Sequence, residues 1–291
     1  MNDIRSTGLC GSLFLLPLLG GCNETQLIGQ NGGDIALTAG DFDDVQAPFN
    51  RLDVATDRYD GVISTATWDA SYVAPGLRVE GLLGDEAELT RYGRLIVASG
   101  TRGLGGRAYN STLDDNTFVI DPAVAERVAN YVERGNVLMC TDWSYDLIEV
   151  AFPDLIEFYG EDATFDDAQR GEIGEISGVV EAESLKTLLG TDTLALNYDF
   201  SNWSVVTDVS EDVEVLVRGD AVVRTGTGSG ADEVTGVPLL LRAPVGNNGG
   251  LVVFSSFHLD AQTPGMIDQL IPFLVGSLEK ADPTVAPIGQ E

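Results

Sequence analysis

The sequence predicts an α/β fold, in which a three-layer, open and mainly parallel sheet carries an antiparallel β-rich extension. Strand and helix patterns alternate along the first half of the chain. The segment Gly93–Ser99 is a near-continuous apolar run, which is typical of parallel strands covered on both faces. Residues 154–245 instead carry short β-rich pieces separated by turn-forming residues, and we expect the extension there. We expect one large domain over residues 34–280.

The first half of the chain supplies the predicted parallel strands. Asp34–Thr38 and Tyr59–Thr65 are predicted strands, and a helix capped near Asp41 lies between them. The best helix follows Asp121, which can cap its first turn, and ends at Gly135.

The remaining elements follow the same reasoning. The further predicted strands are Asn136–Cys140, Val213–Gly219, Val237–Ala243 and Gly250–Phe257. The further predicted helices are Ser144–Phe152, a short one near Ser184–Leu189, and a closing helix over Pro264–Lys280. Apolar residues at helical spacing in these segments indicate buried faces rather than a functional surface.

The charge of the chain excludes one class of function. The 291 residues include 46 acidic and 16 basic ones, for a formal net charge of −30. Such a surface repels phosphate backbones, so we expect no nucleic-acid partner. The acidity suits either a self-repelling surface adapted to salty water or a set of divalent-cation sites. The nearest acidic cluster, Thr112–Asp121, lacks the spacing and central glycine of a calcium loop, so we predict no metal site. The glycine-rich segment Gly100–Arg107 lacks the spacing of a dinucleotide- or phosphate-binding loop, and we predict no cofactor.

The N-terminus predicts export and lipidation. Arg5 precedes the short apolar segment Ser12–Gly21, which is too short to span a bilayer and is typical of a signal segment. Leu-Gly-Gly before Cys22 resembles the lipobox of bacterial lipoproteins. Residues 1–21 would then be a signal peptide, Cys22 the lipidated residue, and residues 22–33 a flexible tether to the membrane. An ordinary secretory signal with an incidental cysteine is the alternative.

Two further expectations follow from that interpretation. Asn23, rather than Asp, follows the cysteine, which favours an outer-membrane lipoprotein that faces the periplasm or the cell surface. Cys10 would leave with the signal peptide, so Cys140 would be alone in the mature chain and no intramolecular disulfide could form. The proline-containing end, residues 281–291, is predicted to be a disordered tail.

Two segments and the order of elements resemble a known fold family. Tyr131–Glu149 and Gly249–Gln262 are similar to the corresponding parts of the class I glutamine amidotransferase-like fold, a flavodoxin-like three-layer architecture. The likeness covers residues 34–280 and is closest to bacterial lipoproteins built on this fold. The resemblance implies a nucleophilic cysteine on a strand-to-helix turn flanked by glycines, and a distant Phe-His-Pro-Glu segment that supplies the base and its orienting carboxylate.

The residues that match this pattern depart from it at the nucleophile. Val137–Thr141 corresponds to Val-Leu-Gly-Ile-Cys, so Thr141 takes the nucleophile position and Cys140 falls one place early. Because strand side chains alternate between faces, Cys140 should be buried under helices and unreactive. Asp142 and Cys140 replace the flanking glycines. His258, the only histidine, and Asp260 match the base and its carboxylate.

The resemblance leaves two hypotheses open. The first is a binding or scaffolding domain that has lost amidotransferase chemistry, with His258 as a relic at the end of a core strand. The second is an amide or ester hydrolase that uses Thr141, His258 and Asp260 as its catalytic residues. Threonine is a poor nucleophile without strong assistance, so we favour the first.

A ligand is expected at the carboxyl edge of the sheet in either case. The glycine-rich loop after Gly93–Ser99 carries Arg102 and Arg107, which could hold a carboxylate or could pair with Asp142 or Asp146. A small molecule, a sugar or a peptide is the expected ligand. The predicted rim residues are Asp142, Trp143, Arg102 and Arg107. Trp68, Trp143 and Trp203 could line such a surface or fill the edge of the core.

Overall fold

The computed structural model describes residues 34–61, 78–101, 120–160, 167–224, 230–276 and 278. The strands are β1 (Ile35–Thr38), β2 (Asp57–Tyr59), β3 (Arg94–Val97), β4 (Val137–Thr141), β5 (Ile156–Phe158), β6 (Gln169–Gly171), β7 (Gly174–Val180), β8 (Thr193–Tyr198), β9 (Trp203–Ser204), β10 (Val206–Val209), β11 (Glu214–Arg224), β12 (Ala231–Val245) and β13 (Gly250–Ser255). The α-helices are α1 (Gln46–Arg51), α2 (Val79–Gly84), α3 (Glu86–Leu89), α4 (Pro122–Glu133), α5 (Tyr145–Ala151), α6 (Glu183–Leu189) and α7 (Pro264–Val275). A short 3-10 helix covers Asp142–Ser144.

One 11-stranded sheet organises the described residues. Its strands β2, β1, β3, β4 and β13 lie side by side in this order, and each neighbouring pair is parallel. Beyond β13, the strands β12, β11, β7, β8, β6 and β9 pair in antiparallel fashion. The predicted fold, an α/β sheet with an antiparallel extension, is therefore confirmed.

Apolar side chains fill both faces of the parallel strands. Leu138 and Cys140 of β4 belong to the core under α2, α4 and α5, whereas Met139 belongs to the opposite core under α1 and α7. This period-two alternation places Cys140 on a central strand with 0% of its surface exposed. Burial raises the pKa of the Cys140 thiol to about 12, so the thiol stays protonated and unreactive. The predicted burial of Cys140 is confirmed.

The helix α4 forms where its sequence predicts. The Asp121 side chain accepts a hydrogen bond from the Ala123 N–H at 2.9 Å, and Pro122 occupies the first turn. The helix ends before Gly135, whose φ of 105° suits glycine.

The predicted helix capped near Asp41 is wrong at its start. The helix α1 begins at Gln46, because the preceding residues bond to other parts of the carboxyl edge. The backbone N–H groups of Asp41 and Phe42 donate to the carbonyls of Gly100 and Ser99. These long-range bonds compete with the local bonds that a helix would need.

Boundaries of other elements also differ from the predictions. The strand β2 begins at Asp57, two residues before the predicted start, while part of the predicted strand lies outside the described residues. The strands β11 and β12 extend well beyond the predicted segments and pair with each other along most of their length. The helix α7 ends at Val275. No helix in the described ranges is long and apolar enough to cross a membrane.

The strand β8 is an outer strand of the antiparallel extension and pairs with β7 on one side. Its Asn197 N–H donates to the Gln262 Oε1 atom at 2.9 Å, and the Gln262 Nε2 atom donates to the Asn197 carbonyl at 2.7 Å. The same Nε2 atom donates to the His258 carbonyl at 3.0 Å. One buried glutamine thus ties the edge strand to the turn that follows β13.

Candidate functional site

The loops at the carboxyl edge of the parallel strands bring several polar side chains together. We call this group the His258 cluster: Asp43, Ser99, Thr141, Asp142, Asp199, Ser204 and His258. Asp43 follows β1, Ser99 follows β3, and His258 follows β13. Asp199 and Ser204 come from the antiparallel extension. The predicted convergence of distant segments at this edge therefore includes the extension as well.

Thr141, the last residue of β4, is fully buried and its hydroxyl group is fully used. Its Oγ1 atom accepts a hydrogen bond from the Ser99 N–H at 2.9 Å and donates one to the Asp43 Oδ2 atom at 2.8 Å. Asp43 also accepts from the Leu259 N–H at 3.1 Å. The Thr141 hydroxyl thereby links the loop after β3 to the loop after β1, and the Asp43 carboxylate links the loop after β1 to the turn after β13.

Asp142 occupies the corner between β4 and the following helical turn. Its φ of 42° lies in the left-handed region, which few residues other than glycine adopt. Its Oδ1 atom accepts from the Ser204 N–H at 2.7 Å and from the Ser204 Oγ atom at 2.9 Å. Its Oδ2 atom lies 3.1 Å from the His258 Nε2 atom. These contacts hold the strained backbone in place.

His258 is 4% exposed and both of its ring nitrogens have partners. The Nδ1 atom lies 3.1 Å from the Asp199 Oδ1 atom, and the Nε2 atom also lies 3.2 Å from the Ser99 Oγ atom. Burial alone lowers the pKa of His258, but the hydrogen bond and charge of Asp142, with the charges of Asp43 and Asp199, raise it to about 9. At neutral pH the ring is an imidazolium that donates to two carboxylates.

The pKa of Asp43, which is also buried, is raised to about 7 as the balance of causes of opposite sign. Burial raises the pKa of Asp43, and the charge of Asp260 raises it further. The positive charge of His258 and the hydrogen bonds from Thr141 and Leu259 lower it. Asp43 therefore depends on a protonated His258 for its ionised form.

The predicted arrangement of Thr141, His258 and Asp260 is not formed. Among the described residues, the ring nitrogens of His258 contact Asp142, Asp199 and Ser99 rather than Thr141 or Asp260. The strand-to-helix corner falls at Asp142, one residue later than predicted, so Asp142 is the side chain that faces the imidazole. Asp260 is exposed, and its Oδ2 atom accepts from the Asp44 N–H at 3.2 Å.

The sequence reasoning missed Asp43 and Asp199. Asp43 had a usable signal, because the acidic segment Asp41–Asp44 directly follows a predicted parallel strand and must lie at its carboxyl edge. Asp199 had none, because its position depends on how the antiparallel extension folds back over the parallel strands.

Aromatic rings lie beside the His258 cluster, and we call them the aromatic patch: Phe42, Trp143 and Phe200. The ring centroids of Phe42 lie 4.6 Å from Trp143 and 4.9 Å from Phe200, and those of Trp143 and Phe200 lie 5.8 Å apart. The Trp143 Nε1 atom donates to the Asn202 carbonyl at 2.7 Å. Phe200 also lies beside the His258 ring, with 6.4 Å between centroids and an angle of 39° between the ring planes.

The other predicted site residues are buried in the core or lie outside the described residues. Trp203 is 1% exposed and packs on Tyr198, so it fills the core. Asp146 is buried on α5. Arg102, Arg107, Trp68 and Cys22 lie outside the described residues, as does most of the acidic segment Thr112–Asp121. Within the described part of the chain, no group of three or more His, Cys, Asp or Glu side chains could hold a metal ion.

No protein-family model matches this chain, and no curated protein matches it in sequence. Solved structures are similar to it in fold. A cytoplasmic protein from Salmonella typhimurium is 12% identical, with 82% of this chain and 97% of that one covered and a TM-score of 0.48. A Thermoplasma acidophilum protein described as a GMP synthase subunit is 10% identical, with 82% and 92% covered and a TM-score of 0.46. A protein from Parabacteroides merdae described as ThuA-like is 10% identical, with 86% and 92% covered and a TM-score of 0.41. Similarity at this level concerns the fold alone and says nothing about activity.

Proposed function

We propose that this chain is a lipid-anchored binding or scaffolding protein whose glutamine amidotransferase-like domain has lost the amidotransferase chemistry. One observation carries the proposal. The side chain that faces His258 at the strand-to-helix corner is the carboxylate of Asp142, which forms an ion pair with the imidazolium.

Amidotransferase chemistry needs a thiolate and a neutral imidazole that can take its proton. The Cys140 thiol lies on the helix-covered face, in the core under α4 and α5. Because the pKa of His258 is raised to about 9, both ring nitrogens carry protons at neutral pH and neither has a lone pair for a base. The polar atoms that would act on a substrate instead stabilise one another.

The hydrolytic activity of the purified protein tests this proposal directly. We expect no turnover of glutamine or of simple amides and esters, and no difference between the wild type and the His258→Gln variant. Circular dichroism of both proteins would check that the variant is folded. Turnover that is present in the wild type and lost in folded His258→Gln would contradict the proposal.

Binding is tested by thermal shift, because a ligand that binds the native state raises the melting temperature. Sugars, peptides, amino acids and divalent ions form the screen. We expect a shift from one ligand class that is reduced by substitutions at the carboxyl edge. The proposal predicts no shift from glutamine.

The proposed lipid anchor depends on Cys22 and the apolar segment before it. The lipobox-like sequence supports an outer-membrane lipoprotein whose domain faces the periplasm or the cell surface. We expect wild-type protein in the membrane fraction and Cys22→Ala in the soluble fraction after export. Cys10→Ala is the matched control and should remain with the membrane. Membrane association of Cys22→Ala would refute the anchor.

The φ of 42° at Asp142 favours a second candidate, a hydrolase with a carboxylate nucleophile. The Asp142 carboxylate would displace an oxygen leaving group from a substrate carbon and form an ester, while His258 donates a proton to the leaving oxygen. The neutral imidazole would then take a proton from the water that hydrolyses the ester. Asp199 would orient the ring.

Mass spectrometry separates the two candidates. An epoxide probe should leave Asp142 unmodified if the His258 cluster is only structural. An adduct on the peptide that contains Asp142, absent from Asp142→Asn, would favour the hydrolase.

A further inference from the structure

We propose that the aromatic patch and the carboxylates beside it bind an arginine-containing segment of a partner protein. The inference rests on the proposed binding function and names the chemistry of the partner.

The aromatic patch presents one exposed ring, Phe200, on top of the partly buried rings of Phe42 and Trp143. In the ranges that the structure describes, the exposed large apolar residues are Ile173, Val179, Leu188, Phe200, Val222 and Val234. Phe200, 38% exposed, is the one aromatic ring among them. It lies at the carboxyl edge, where open α/β sheets place their ligands.

The local backbone holds these rings in a fixed arrangement. Gly100, with a φ of 75°, has no side chain, and a Cβ atom there would come within 2.5 Å of the Phe42 ring. Asn202 also has a left-handed φ, 72°, and its carbonyl accepts the Trp143 indole N–H. Together with Asp142, two left-handed residues other than glycine therefore lie beside the patch. Strained backbone of this kind concentrates at binding sites.

The rings contact each other, so no aromatic ligand can insert between them. With centroids 4.6 to 5.8 Å apart, they present an outer surface rather than a slot. A small molecule gains affinity mainly by enclosure, whereas a polypeptide segment can lie across an open surface. This geometry favours a polypeptide.

Charge selects a basic segment. Asp199, Asp44 and Asp260 are exposed at the same edge, and the side chain of Asp199 keeps 48% of its surface accessible while it contacts His258. The ion pairs formed by arginine and lysine within the described residues join other carboxylates: Asp34, Glu86, Glu88, Glu172, Glu183, Glu214 and Asp268. His258 balances part of the negative charge within the His258 cluster. The exposed carboxylates of Asp44, Asp199 and Asp260 keep the surface beside the aromatic patch negatively charged.

Arginine fits this surface better than lysine does. A guanidinium plane can stack on the Phe200 ring while its N–H fork donates to the Asp199 carboxylate. A lysine ammonium has no plane to stack and is more strongly hydrated. The inference therefore predicts a preference between two peptides of equal charge.

Fluorescence anisotropy of labelled peptides tests the inference. The probes are a peptide of alternating arginine and glycine, the same peptide with lysine, and one with glutamate. We expect the arginine peptide to bind at least about threefold more tightly than the lysine peptide, and the glutamate peptide not to bind. Equal binding of the arginine and lysine peptides would overturn the inference, because the overall charge of −30 attracts both alike.

Variants locate the interaction. Phe200→Leu keeps an apolar side chain but removes the ring, and should weaken arginine-peptide binding about two- to fivefold. Leu188→Ala, on the 41% exposed Leu188 of α6, is the matched control and should bind as the wild type does. Asp199→Asn should weaken binding about fivefold, and Asp212→Asn, before β11 at the opposite edge, should not.

Three outcomes are decisive. Unchanged binding in Phe200→Leu and Asp199→Asn would overturn the inference while the proposed binding function stands. Arginine amide alone, binding as tightly as the peptide, would overturn the assignment to a polypeptide and point to a free cation. Catalytic turnover that depends on His258 would contradict the proposed function itself, whether or not the peptides bind.

Discussion

Two polar networks lie in different parts of the parallel half of the sheet. The His258 cluster joins the carboxyl edge to the antiparallel extension. Beside the outermost parallel strand, β2, a second network that we call the tyrosine cluster contains Asp57, Tyr59, Glu88, Arg91 and Tyr92. Its two phenol oxygens lie 2.7 Å apart, and they donate to Glu88 and Asp57 at 2.6 and 2.8 Å.

The two networks differ in where their charge lies. In the tyrosine cluster, neutral phenols separate Asp57 from Glu88, and Arg91 balances Glu88 from a partly exposed position. In the His258 cluster, one buried imidazolium faces Asp142 and Asp199 directly. Asp142 adopts a left-handed backbone conformation at this position. A network of neutral donors can lose one bond with little damage, whereas a network centred on one buried charge depends on that charge.

The largest expected effect comes from removing the central charge. His258→Ala leaves Asp142 and Asp43 buried without their positive partner, so we expect the free energy of unfolding to fall by about 3–5 kcal/mol. Urea denaturation measures the loss. Asp142→Asn in the same background should restore part of it, and failure of this second substitution to help would mean that lost packing explains the effect.

The pH dependence of stability above pH 7 should report on His258, because the raised pKa of Asp43, about 7, acts at lower pH. The pKa of His258 rises from the ordinary 6.5 to about 9 on folding, so the stabilisation is complete below pH 6.5 and is lost as the pH rises through about 9. The expected loss is about 3 kcal/mol. NMR of the single histidine gives the midpoint directly, and Asp142→Asn should lower it. A midpoint near 6.5 would contradict the buried ion pair.

The tyrosine cluster should respond less. Tyr59→Phe removes one hydroxyl, but the Tyr92 hydroxyl still donates to Asp57. We therefore expect a loss of about 1 kcal/mol in the free energy of unfolding. Tyr92→Phe is the informative comparison, because it leaves the buried Asp57 without its phenol donor. It should cost more than Tyr59→Phe, and the reverse order would refute this account of the network.

Salt should have the smallest effect of these changes. The net charge of −30 implies repulsion that screening relieves, so the melting temperature should rise by a few degrees toward about 1 M NaCl, where the Debye length is about 3 Å. Potassium chloride should act as sodium chloride does. A rise seen only with calcium would favour discrete cation sites instead.

The sequence predicted the parallel half of the molecule more completely than its site. Alternation along β4 was enough to bury Cys140, because the side-chain period of a strand is fixed. The strand-to-helix corner depends on a single residue, and the resemblance placed it at Thr141 where the structure has Asp142. The contact of His258 with Asp199 requires the antiparallel extension to fold back over β13, which no local pattern specifies.

The Gln262 side chain at β8 limits how far the sheet can grow. A carboxamide carries a donor and an acceptor in the same spacing as a peptide group, so Gln262 occupies the place that a further strand would take. A second molecule that added a strand at Asn197 would first have to break both bonds. Exposed edges are the usual starting point of intermolecular strand pairing and aggregation. Replacing Gln262 by an apolar residue should therefore reopen this edge and make the protein prone to polymerisation.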